Sequence, residues 1–143
     1  MYFEDLSVGL SAESLRTVSQ QDIAAFADVS GDRNAVHLDP AFAATTPFKG
    51  VIAHGMLSAS FISALLGTKL PGAGTIYLGQ SLSFLAPVRP GDVVTTTVSI
   101  KELRPKGRSR GEAICRTTAR VGDVVVIDGE ATVMVPRRPA ATA

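Results

Sequence analysis

The chain has 143 residues, 45% apolar and 19% charged, a length for one domain burying roughly 70% of its unfolded surface and a composition that excludes disorder. Its 14 basic and 13 acidic side chains leave a formal charge of +1, so no basic excess marks a nucleic-acid partner. The one cysteine, Cys115, excludes an internal disulfide or a thiolate metal cluster and reads as a buried, reduced thiol.

In chain order, "MYFEDLSVG" carries early acids and no basic-then-apolar run, unlike an export signal. Ser19 with Asp22 three residues on is a capping signature, and Ile23, Phe26 and Ala27 share a face; this predicts a helix over Gln20–Val29, ended by "SGD". Asp39-Pro40 predicts an N-cap followed by proline at the first helical position, with a short turn through "AFAATT" closed at Pro47. From His54 to Leu66 the chain is apolar on nearly every face, with Gly67 placed to end a helix. Such a helix must be wrapped by other structure, and the stretch Val51–Gly67 is too short and too polar for the ~20 apolar residues of a membrane span. The cytoplasm is the expected location.

The remainder is β-rich. "TIYLGQSLSFLAPV", "DVVTTTVSIKEL", "GEAICRTTARV" and "VVVIDGEATVMVP" are separated by the turn-formers "RPGD", "RPKGRSRG" and "VGD". The expected order is helices first, then about four antiparallel strands, an α+β domain with a sheet around one long helix over residues 1–136. Residues 137–143, Pro/Ala-rich, are expected to form a flexible tail.

Only two histidines are present. His37 follows Asp32 by five residues in "SGDRNAVHLDP", and an imidazole beside a carboxylate is equipped for proton transfer near neutral pH. By spacing alone, a capped turn with a loop histidine is the favoured reading. His54 precedes Gly55 in "IAHGML". If a helix starts there, its first N–H groups are free and glycine admits a close oxygen, which suits an oxyanion; a glycine needed only for packing fits equally well. Ser58, Ser60 and Ser63 lie on the same helix, where i−4 carbonyls ordinarily occupy serine hydroxyls. The sequence carries no nucleophile elbow, dinucleotide fingerprint or phosphate loop, and no metal or cofactor is expected. Arg104, Lys106, Arg108 and Arg110 read as a solvated turn, with contact to ligand phosphates the sharper alternative.

Taken together, "FADVSGDRNAVHLDPAFAATTPFKGVIAHGML" and "GAGTIYLGQSLSFLAPVRPGD" resemble, in order, the signature of the MaoC-like (R)-specific enoyl-CoA hydratases. The similarity runs from about Phe3 to about Val135. It implies a hot-dog fold, homodimeric in single-domain members, and reversible syn hydration of trans-2-enoyl thioesters to (R)-3-hydroxyacyl thioesters. Asp32 and His37 fall on the catalytic dyad and the Gly55 N–H on the oxyanion donor. Ser63 falls on a serine near the dyad, and Leu66 near the acyl pocket. The chain departs from the common Asn-Pro at Asn34-Ala35, which frees the loop without removing a functional group. The expected substrate is an acyl-CoA thioester. A dehydratase acting on acyl-carrier-protein thioesters is the alternative, and a thioesterase or a non-catalytic thioester-binding subunit is further away.

Overall fold

The computed structural model describes residues 1–141. A 3-10 turn, Phe3–Asp5, precedes strand β1 (Ser11–Thr17), followed by helices α1 (Gln20–Ser30), α2 (Ala35–Leu38), α3 (Pro40–Ala44) and α4 (Gly55–Thr68). Strands β2 (Ile76–Gln80), β3 (Ser83–Phe84), β4 (Val93–Pro105), β5 (Arg110–Val121) and β6 (Val124–Pro136) complete the chain. They form one antiparallel sheet of order β1-β4-β5-β6-β2, with β3 also paired to β6. Helix α4 packs across this sheet, mainly on β4 and also on β5 and β1. This is the hot-dog arrangement.

Local chemistry sets the helix boundaries. At α1, Ser19 Oγ accepts from Asp22 N–H at 3.0 Å and the Asp22 carboxylate accepts from Ser19 N–H at 3.0 Å, the reciprocal capping box. Gly31 ends α1 at φ 78°, a left-handed conformation glycine adopts without strain. Asp39 Oδ1 caps α3 by accepting from Ala41 and Phe42 N–H, with Pro40 at the first helical position.

Three expectations are corrected. Strand β1 precedes the helices, so the order is not helices first; Ser11–Thr17 is poor in β-branched residues and is held by pairing with distant β4. The "TIYLGQSLSFLAPV" segment divides into β2 and β3, because the chain turns at Ser81, whose N–H donates to Glu130 O at 2.9 Å. Finally, α4 is covered on one side only. Leu57, Ile62, Leu65 and Leu66 are buried, whereas Met56, Ser60, Ser63, Ala64 and Gly67 face outward.

The core joins Ile62, Leu65 and Leu66 of α4 to Val94, Val98 and Ile100 of β4 and to inward residues of β5 and β6. Cys115 is fully buried there, and burial pushes its thiol up to about 11. Beyond β6, Arg137 pairs with Glu4 and Arg138 with Asp5, tying the segment to the N-terminal turn. The rest of the expected tail includes residues 142 and 143, which lie outside the described residues.

Glu4 accepts from the Arg138 main-chain N–H at 2.9 Å and from Arg137 Nε at 3.0 Å, and these bonds lower its carboxyl from 4.5 to about 2. Because the folded value is the lower one, this tie contributes fully above about pH 4.5 and is lost as pH falls through about 2. Glu4→Gln is therefore expected to lower the Tm at neutral pH and to leave it unchanged at the acid end. Thermal unfolding of both proteins across this pH range checks it.

Candidate active site

Helix α2 does what loop spacing alone did not promise: it turns His37 inward. Asn34 Oδ1 accepts from Val36 N–H at 3.2 Å, starting a single helical turn that leaves His37 only 8% exposed. Its Nδ1 lies 2.7 Å from the Ile52 carbonyl oxygen. A carbonyl only accepts, so Nδ1 carries the hydrogen and Nε2 is left free. Asp32 sits on the loop just before α2, exposed, with Oδ1 accepting from Asn34 N–H at 3.2 Å.

His54 precedes the first residue of α4 and is 3% exposed. Its ring stacks on His37 with centroids 3.8 Å apart and an interplanar angle of 27°. Its Nε2 donates to the Asp32 main-chain oxygen at 2.9 Å. Because His54 provides no side-chain cap, the first N–H groups of α4 stay open, and no protein group accepts from the Gly55 N–H among the described residues.

Asp32, His37, His54 and Gly55 border one cavity of about 420 Å³, whose remaining wall includes Ile52, Ser58, Phe84, Val126 and Ile127. An anionic carboxylate, an imidazole with a free nitrogen and an open helix N-terminus thus meet over a largely apolar chamber. Gly55 has a packing reason as well, since a Cβ there would lie 2.6 Å from the Phe84 ring. The free N–H, not the missing side chain, is the observation that bears on oxyanion chemistry.

Asp32, His37 and His54 offer ligand atoms all within 4.8 Å of one another. Nδ1 of His37 and Nε2 of His54 are already bonded to main-chain carbonyls, which leaves one nitrogen on each ring.

Asp32, His37 and Gly55 are brought together; the other expected site residues are not among them. Ser63 lies on the outward face of α4, outside the cavity, and Leu66 sits in the main core. The cavity serine is Ser58, 1% exposed, whose Oγ has no hydrogen-bond partner among the described residues. Ser60, by contrast, donates to Leu57 O at 2.5 Å, engaging the i−3 carbonyl and not the expected i−4 one. The sequence signal for Ser58 was its place one helical turn after His54, on the same face. The basic turn is remote: it adjoins the Pro136 end of β6, and the cavity the Val126–Ile127 end, roughly 30 Å away along an extended strand. Arg104 is paired with Glu102 there at 2.9 Å.

The fold and this constellation define a hot-dog domain with a polar pair facing an open helix N-terminus. Residues 7–122 match the family model for the MaoC like domain. The chain belongs to the MaoC-like family. It is 55% identical over 137 residues to the (R)-specific enoyl-CoA hydratase of Rhodospirillum rubrum, covering 96% of this chain and 93% of the relative. The 3-hydroxybutyryl-CoA dehydratase of Methylorubrum extorquens is 51% identical over 138 residues, covering 96% and 86% respectively. Among solved structures, the (R)-hydratase of A. caviae superposes with a TM-score of 0.82 at 46% identity, covering 95% of this chain and 99% of that one.

Proposed function

We infer that this chain is an (R)-specific enoyl-CoA hydratase, adding water reversibly to trans-2-enoyl-CoA to give (R)-3-hydroxyacyl-CoA. The observation that carries the reading is the meeting of Asp32, His37 and the unengaged Gly55 N–H at one apolar cavity. Names of relatives around half identical, all on CoA thioesters, support CoA over a protein carrier.

The thioester carbonyl accepts a hydrogen bond from Gly55 N–H at the positive end of α4, which draws electrons from the double bond and stabilises the enolate. One water is held between the Asp32 carboxylate and His37 Nε2. Its oxygen bonds to C3, its proton passes to the pair, and a proton is delivered from the pair to C2. Both events occur on the face that the pair occupies, so addition is syn. The proton taken from water and the proton given to C2 pass through the same two groups, and the reaction transfers no electrons to a cofactor.

Purified protein is mixed with short and medium trans-2-enoyl-CoA, loss of the conjugated double bond is followed, and product chirality is determined. Formation of the (R) product is expected. Turnover on carrier-protein thioesters alone would replace the reading with a dehydratase, and turnover on neither would end it.

A homodimer in the cytoplasm completes the proposal. No helix among the described residues is long and apolar enough to cross a membrane. Edge strand β2 exposes three large apolar residues in a row, Ile76 at 56%, Tyr77 at 40% and Leu78 at 46%, while the other edge, β1, exposes Leu15 but flanks it with Glu13 and Arg16. Charged residues protect an edge and apolar ones invite pairing, so a second copy belongs on β2. Leu78→Lys is expected to convert a dimer to a monomer in light scattering; a wild-type monomer would remove the proposal.

A further inference from the structure

We propose that His54 is a positioning residue for the Asp32/His37 pair, holding the backbone of one partner and the ring plane of the other. This rests on the hydratase reading above. His54 occupies the cap position of α4, where a short polar side chain would ordinarily satisfy the helix's first N–H groups. Its imidazole turns away instead, to the Asp32 carbonyl 22 residues back, at 2.9 Å. That bond fastens the loop bearing Asp32 directly to the end of the helix that offers the Gly55 N–H. The loop's other restraints are all local, from Ser30 Oγ accepting the Asp32 N–H at 3.1 Å, Asp32 Oδ1 accepting the Asn34 N–H at 3.2 Å and Arg33 pairing with Asp28, so none of them ties it to α4.

The second contact fixes His37. Its Nδ1 bond to Ile52 O is a pivot that by itself leaves the ring free to swing. The His54 ring, stacked at 3.8 Å, blocks that swing from one side. Phe26 backs His54 in turn, with centroids 4.9 Å apart and planes at 59°. The order Phe26–His54–His37 thus sets the direction of His37 Nε2. The two carbonyl bonds also assign opposite tautomers: hydrogen on Nδ1 in His37 and on Nε2 in His54. His54 Nδ1 is left buried with no partner among the described residues, so the bond to the Asp32 carbonyl is the one polar contact of the ring there.

Three variants separate the two contacts. His54→Phe keeps a flat ring and loses the donor; His54→Gln keeps an N–H donor and loses the ring; His54→Ala loses both. With trans-2-butenoyl-CoA, kcat in His54→Ala is expected to fall about 100-fold, the scale of a misplaced reacting group, while KM stays within a factor of about two and each conservative variant recovers part of kcat. Wild-type kcat in His54→Ala, a loss confined to KM, or no recovery in folded Phe and Gln variants would overturn the proposal. Should His54→Ala not fold, the Phe and Gln variants carry the same comparison. Wild-type kcat in His54→Ala alongside inactive Asp32→Asn sinks this inference alone; full activity in Asp32→Asn sinks the hydratase dyad beneath it. Independently of activity, histidine-labelled protein gives just two imidazoles by nitrogen NMR. Opposite tautomers are expected, and identical or averaging rings would overturn the assignment.

Discussion

Asp32→Asn and His37→Gln are each expected to lower kcat for hydration by about 10²–10⁴-fold, the range of positioned acid–base groups. Asparagine at 32 retains an oxygen able to accept from the Asn34 N–H, now 3.2 Å from Asp32 Oδ1, so that change isolates the charge. Glutamine at 37 offers an amide in place of the free Nε2 and removes the imidazole base of the pair. Because the two groups handle one proton inventory, the double variant should lose little more than the worse single. Initial rates on an enoyl-CoA substrate, with circular dichroism to verify folding, decide the matter. Full activity in either single variant would remove the dyad.

The largest expected effect on stability is at Gly129 in β6. A Cβ there would sit 1.9 Å from the Ser81 main-chain oxygen, a contact no side-chain motion relieves. Ser81 cannot withdraw easily: its N–H donates to Glu130 O at 2.9 Å, its Oγ accepts from Glu130 N–H at 3.0 Å, and its own oxygen accepts from Gln80 Nε2 at 2.8 Å. Gly129→Ala must therefore part the β2–β3 segment from β6. A loss of about 3 kcal/mol is expected, at the upper end for overpacking, or roughly 6–12 °C in Tm for a domain of this size. Urea unfolding measures it, and an unchanged midpoint would refute it. Since β3 carries Phe84, a wall of the cavity, the substitution should also raise KM.

Much of this protein was written locally. The Ser19–Asp22 box, the Asp39-Pro40 cap and the long apolar helix beginning at Gly55 depend on residues a few positions apart, so their sequence signals carry their own geometry. The same holds for β4, β5 and β6, whose apolar residues recur on one face and whose turns carry glycine. Strand β1 was not legible because nothing within Ser11–Thr17 demands a strand; its partner lies some eighty residues downstream in β4.

For the candidate site, spacing alone favoured a capped turn for Asp32 and His37 and left Gly55 open between packing and oxyanion binding; the resemblance of the joined motifs to the MaoC-like signature is what singled the three out. Packing decided the rest. The Ile52 carbonyl chooses the tautomer of His37, and the Asp32 carbonyl chooses that of His54. Which serine meets the cavity was likewise a tertiary matter: Ser58 and Ser63 share a helix, but the sheet covers one face of it, so Ser58 is enclosed and Ser63 looks outward. Sequence by itself determined which chemical groups this protein owns and where its helices begin. Only the tertiary structure decided which of those groups meet, because hydrogen bonds and ring contacts across 15 to 28 residues are made by the fold and leave no periodicity in the chain.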